Sequence, residues 1–209
     1  MRREHYIETI VPPTLWLEFN GNANDSSENH YTPSYLNNYS LSYYNNMALI
    51  GQTNRAPYYT LDKFAGTGDF SWYFRVFTTQ LVVNQGVWLA DIETSLYAGD
   101  REYITFNWNG NAEELWFFSQ HSQYSDQVRI WCNVFPRLND WQEILLVRKN
   151  GVFRSYEDGV LKHEETCTRE MFCNNTPRMI MGNCNYGSDD RYFKGYIDEI
   201  KYWHNTAVR

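Results

Sequence analysis

Short runs in which apolar and polar residues alternate recur along this chain, separated by gaps rich in Asn, Gly and Ser. "TLWLEF" alternates Leu15, Leu17 and Phe19 with Trp16 and Glu18, the period of a half-buried strand. "DFSWYFRVF" places Phe70, Trp72, Phe74 and Val76 on one face and Ser71, Tyr73, Arg75 and Phe77 on the other, so both faces are partly covered. "GVWLADI", "EYITFNW", "EELWFF", "VRIWCNVF", "RMIMG" and "GYIDEIKYW" read as further strands, and "NGN" at 109–111 joins two of them as a hairpin. In "DWQEILLVRKNGVFRSYEDGVLK", Asn150-Gly151 and Asp158-Gly159 each separate strand-like runs, which predicts a three-stranded meander with two tight turns. The polar stretch from 20 to 57 has no clear period and is expected to wrap the surface with one or two short strands. No stretch sustains the i, i+3, i+4, i+7 apolar spacing of a long helix. Ten or more short strands with no helix between them predict an all-β fold, an antiparallel sandwich or barrel.

Composition sharpens this picture. Aromatics make up 18% of the 209 residues, with 8 Trp and 17 Tyr, and Asn occurs 21 times. Aromatics suit pleated surfaces, and Asn and Gly suit the turns between them. The length suits one domain over residues 1–209, of which 1–13 is an N-terminal extension. A net charge of -7 argues against binding a nucleic-acid backbone. Without an apolar run of about 20 residues, no membrane-spanning helix is expected. "MRREHYIETIVPP" lacks the apolar stretch of a secretory signal. Cys132, Cys167, Cys173 and Cys184 form no CxxC pair; either a bridge among the last three or free buried thiols fits them.

Three segments together resemble the laminin-G-like, concanavalin-A-like jelly rolls: "LWLEFNGNANDSSENH", "WQEILLVRKNGVFRSYEDGVLK" and "GNCNYGSDDRYFKGYIDEIKYW". The resemblance implies two curved antiparallel sheets packed face to face, and a noncatalytic module that binds glycans or glycosylated surfaces, often with a structural calcium. Glu28 stands where the family commonly has glycine, and Glu resists the φ > 0 that Gly accepts.

Candidate chemistry follows on two surfaces. Calcium takes six to eight oxygens from carboxylates, amides and carbonyls. Asp25 and Asn29 of the polar loop, with Asp198 of "YIDEI", are the calcium candidates, since the resemblance places the first and last strands close together. The alternative is that Asp25 forms an Asx turn and Asp198 caps backbone amides. Asp189 and Asp190 read as a solvated turn. Sugar binding needs aromatic faces beside amides and carboxylates, and Trp108, Asn109, Trp116, His121 and Tyr124 form the richest such mixture. Trp72 and Trp203 read as core. Asp91 and Glu93 could share a strand face, but Ser95 occupies the next such position, so the third carboxylate carried by the fold's glucanases is missing. No Gly-x-Ser-x-Gly elbow occurs. The sequence therefore favours a lectin-like binding module at an extracellular or virion surface. A structural or decoration protein of a virus or phage particle, contacting other particle proteins, is the alternative, and a glycoside hydrolase ranks below both.

Overall fold

A computed structural model describes residues 11–35, 42–45, 47–50, 57–61, 68–80, 87–93, 101–108, 113–120, 127–168, 178–181 and 193–208. Fifteen strands are described: β1 (Leu15–Leu17), β2 (Ser34–Tyr35), β3 (Ser42–Tyr44), β4 (Met47–Ile50), β5 (Pro57–Thr60), β6 (Phe70–Thr78), β7 (Val87–Glu93), β8 (Arg101–Trp108), β9 (Glu113–Gln120), β10 (Gln127–Trp131), β11 (Trp141–Lys149), β12 (Val152–Glu157), β13 (Val160–Thr166), β14 (Arg178–Met181) and β15 (Gly195–His204). Among the described residues no helix is long and apolar enough to cross a membrane. The strands form two antiparallel sheets. One runs β13-β12-β11-β6-β15-β4-β3 with β1 paired to β15, and the other runs β10-β9-β8-β7-β14-β5-β2. Of the sandwich or barrel that the alternation and the turn signals predict, this is the sandwich, in the jelly-roll form that the resemblance implies.

Period-two alternation builds the core. Phe70, Trp72, Phe74 and Val76 of β6, Ile144 and Leu146 of β11, and Ile197, Ile200 and Tyr202 of β15 face Ile104, Leu115, Phe117, Ile130 and Met179 of the second sheet. Phe117 stacks on Phe70 at 5.5 Å and lies 5.3 Å from Phe153, so one ring bonds the two layers at their middle. Each such ring buries about 150–250 Å². The two hairpins of the meander form as the turns dictate: Asn150 and Gly151 take φ of 50° and 72°, Asp158 and Gly159 of 48° and 78°. Two successive left-handed residues make the turn whose twist matches the paired strands.

Four details depart from the sequence reading. The stretch from 20 to 57 holds three short strands, β2 to β4, rather than one or two. β10 stops at Trp131, because Asn133 turns left-handed at φ 51°, although Cys132 N–H and Val134 C=O still bond Leu115. β13 continues to Thr166, beyond the meander as read. Trp203 is buried, but on the outer side of the eight-stranded sheet, where it packs with Tyr73, Val208 and Leu145 and its Nε1 donates to Val11 C=O at 3.0 Å. Segments 11–14 and 206–208 flank this second apolar patch: Thr14 Oγ1 accepts from His204 N–H, and Ser71 Oγ donates to Thr206 C=O and accepts from Val208 N–H. Cys132 and Cys167 are both buried and unbridged. Cys173 and Cys184 lie outside the described residues.

Candidate functional site

The polar loop after β1 is organised around Asp25. This carboxylate is 6% exposed, and each of its oxygens meets two protein donors. Oδ1 accepts from Trp16 N–H at 2.8 Å and Ser27 N–H at 2.9 Å, the second an Asx turn. Oδ2 accepts from Ser27 Oγ at 2.8 Å and Tyr31 N–H at 2.9 Å. An ionised carboxylate offers about four acceptor positions, and here all are used. Asn29 turns its amide nitrogen to Thr14 C=O at 2.7 Å. The left-handed residue that closes the loop is His30 at φ 49°, so Glu28 adopts no such conformation.

Asp198 is placed elsewhere. β1 does pair β15, with Leu15 opposite Tyr202 and Leu17 opposite Ile200. A bulge between Ile197 and Glu199, however, turns both Asp198 and Glu199 to the outer side of the sheet. There Asp198 ion-pairs Arg75, which also lies 3.9 Å from Glu143 and 4.4 Å above the Trp141 ring. Glu199 accepts from Trp16 Nε1 at 2.8 Å and pairs Lys201 at 2.8 Å. In the middle of this row burial, reinforced by Glu143 and Glu199, pushes the Tyr73 phenol up, so its hydroxyl stays neutral. Asp25, Asn29 and Asp198 are therefore not brought together, and the donor set does not fit a calcium ion. Among the described residues no group of three or more His, Cys, Asp or Glu converges on a metal position.

The second candidate surface is the outer face of the seven-stranded sheet. Register assigns its positions from the core residues. Ile104 pairs Phe117 and both are buried in the core, so positions 104, 106 and 108 of β8 and 113, 115 and 117 of β9 share the inner face. Thr105 and Trp116, also paired, fall on the outer face. Position 108 is thus on the opposite face from Trp116. Trp108 pairs Glu113 while Gln120 pairs Arg101, so the two ends of the β8–β9 pair are about 23 Å apart at roughly 3.3 Å per residue. The Trp108 end and the strand end leading to His121 and Tyr124 cannot converge on one sugar ring. Asn109, His121 and Tyr124 themselves lie outside the described residues.

Trp116 alone of that group is described in full. It is 5% exposed, meets the ring of its cross-strand partner Trp131 edge-on at 3.9 Å, and carries the Arg129 guanidinium 4.8 Å from its ring centre. Trp131 is half-buried and Arg129 exposed. The reading from sequence passed over both, although "VRIW" shows them: Arg129 and Trp131 alternate with Val128 and Ile130, which face the core. Across the sheet the outer face continues through Tyr58, half-buried, and Thr60, exposed. Asp91 and Glu93 also hold outer-face positions, because Ile92 pairs the core residue Met179. Position 93 stands directly opposite Arg101 on one side and Arg178 on the other.

A family model described as the concanavalin A-like lectin/glucanases superfamily matches residues 51–207, three quarters of the chain. The chain belongs to this superfamily. Among solved structures it is similar to domain 4 of AbnA, a GH43 extracellular arabinanase from Geobacillus stearothermophilus, solved in complex with arabinotriose. The TM-score is 0.70 at 18% identity, over 95% of this chain and 94% of that one. It is also similar to the botulinum neurotoxin serotype D binding domain, with TM-score 0.67, 12% identity and 92% of this chain covered. A botulinum neurotoxin type C structure, reported with cell entry dependent on interaction with two ganglioside molecules, has TM-score 0.65, 15% identity and 95% of this chain covered. The chain spans about half the length of these two toxin structures, 47% and 49%. No curated protein is significantly similar in sequence. At these identities the likeness establishes the fold, and the outer-face residues carry the functional argument.

Proposed function

We propose that this domain is a noncatalytic binding module that recognises a glycan, or a glycosylated or protein surface, in an extracellular setting. The observation that carries the reading is the outer face of the seven-stranded sheet at β9–β10, where two indole rings in contact lie beside an exposed guanidinium. Indole faces pack against the CH-rich side of a pyranose, and Arg donors read ring hydroxyls and acids. The half-buried Trp131 offers such a surface, with the buried Trp116 beside it meeting it edge-on. The similarity to an arabinotriose-bound domain and to toxin binding domains supports the same reading.

A glycan array probed with the full chain, followed by calorimetry on the strongest binders, tests it. Binding to at least one glycan class that weakens on Trp131→Ala is the expected result. Absence of binding to every class overturns the reading. Release of reducing ends above background from a bound polysaccharide overturns its noncatalytic part.

A further inference from the structure

We propose that a groove on the outer face of the eight-stranded sheet binds a small amphipathic acid, a single carboxylate carried on an alkyl or aryl body. It lies on the other sheet from β9–β10 and is independent of the glycan-binding reading above. The groove has a volume of about 400 Å³, within the range of small-molecule sites. Strand register builds it. The core takes Ile144 and Leu146 of β11 and Phe153 of β12, so Val147, Arg154 and Tyr156 point outward and floor the groove with Lys149 at one end. On one side stand Leu161 and Glu164 of β13, paired with Tyr156 and Arg154. On the other stand Ala207 and Val208, held there by the bond from Val208 N–H to Ser71 Oγ at 2.9 Å, because Ser71 pairs Val147.

Charge and depth select the occupant. Arg154 is spent on Glu164 at 2.5 Å. Lys149 is exposed, and among the described residues its ammonium has no ion-pair or hydrogen-bond partner. The groove thus carries two cations against one carboxylate in a chain of net charge -7, and this local reversal of sign draws an anion. The deepest surface is apolar: Val147 is 5% exposed and Val208 8%, beside the more open Leu161. Hydrocarbon gains by covering these side chains, whereas sugar hydroxyls turned onto them would lose water and find no acceptor. A peptide fares no better, since β11 and β12 are paired on both sides and have no ladder bonds left to offer. The floor is also recessed, so the flat face of a second copy does not reach it. From the Tyr156 row to Lys149 the floor runs four positions along β11, about 13 Å at roughly 3.3 Å per residue. A slender body fills that length and sets its carboxylate against the ammonium in a charge-assisted bond.

Calorimetry on the full chain with two acids and their primary amides tests the assignment: octanoate against octanamide, and phenylbutyrate against phenylbutanamide. At least one acid should bind with a millimolar or tighter Kd, about fivefold more tightly than its amide. Lys149→Gln, an exposed change that leaves the fold intact, should bring that ratio to about one, and Lys149→Arg should retain it. Leu161→Ser should weaken acid and amide together by about threefold, because it removes hydrocarbon that both cover. In backbone-amide NMR the shifts caused by the acid should centre on Val147, Lys149, Leu161 and Val208. No saturable binding by either acid, equal affinity within both pairs, or a preference that survives Lys149→Gln overturns the proposal. So do shifts centred on β9–β10, or a dimer whose interface is this groove. None of these results touches the glycan reading, which the array decides separately.

Discussion

Asp25→Ala separates a structural carboxylate from a metal ligand. The substitution removes the acceptor of three backbone N–H groups, those of Trp16, Ser27 and Tyr31. The Ser27 hydroxyl loses less, because it can turn its single proton to Thr14 C=O at 2.9 Å. Hydrogen bonds to a charged group contribute about 1.5–3 kcal/mol each, and enclosed donors left without partners cost about 1–3 kcal/mol. Trp16 and Tyr31 are half-buried, so water recovers part of their loss, whereas Ser27 is 3% exposed and recovers little. The expected destabilisation is about 3–4 kcal/mol, which for a domain of this size lowers Tm by roughly 6–16 °C. Asp25→Asn keeps one accepting oxygen and should lose about half as much. Scanning calorimetry with and without EDTA reads the answer. The wild-type Tm should be unchanged by chelator, and the variant should fall equally in both conditions. If EDTA lowers the wild type to the level of Asp25→Ala, and the variant then loses nothing more, Asp25 is a metal ligand and the four-donor argument fails.

Other consequences can be checked alongside. Gly195→Ala should destabilise by about 2–4 kcal/mol in urea melts, because an added Cβ would lie 1.9 Å from the Phe77 carbonyl oxygen at a φ of 156°. Gly159→Ala, with nothing within 4 Å, should cost only the about 1–2 kcal/mol of its left-handed φ of 78°, and equal losses at both positions would contradict the packing argument. Asp198→Ala should cost about 1 kcal/mol, since its half-exposed pair with Arg75 leaves that arginine with Glu143 and Trp141; a loss that appears only when calcium is supplied would contradict the outward placement. Burial pushes the Cys132 thiol up, so near pH 8 it stays protonated, and iodoacetamide should label it only after unfolding. Native labelling detected by peptide mapping would show that the site opens.

The strands and tight turns are legible in the residues because both signals are local. Alternation over Phe70–Val76 needs only a period of two, and Asn150-Gly151 needs only two residues that tolerate positive φ. The same locality explains the misjudged stretch from 20 to 57: β2 to β4 have two to four residues each, too short for a period to show. The candidate site was less legible. Trp108 and Trp116 look close in sequence, yet the β8–β9 register sends them to opposite faces, and a one-residue shift would reverse that. Arg129 and Trp131 join Trp116 only because β10 pairs β9 in one particular register.

Neighbours a few positions apart dictate an all-β fold with its meander, its turns and most of its inward-facing residues. Which face the other side chains serve depends on strand register and on segments that pack from elsewhere in the chain. Asp25 and Asp198 lie on paired strands, but the bulge at Ile197/Glu199 and the donors around Asp25 direct them to different partners. Trp203 faces outward and is still buried, because Val208 packs on it and Val11, 192 positions away, accepts its indole proton. Arg75 and Val11 lie more than a hundred residues from the Asp198 and Trp203 they meet, and a local pattern carries no information about which distant segment will arrive.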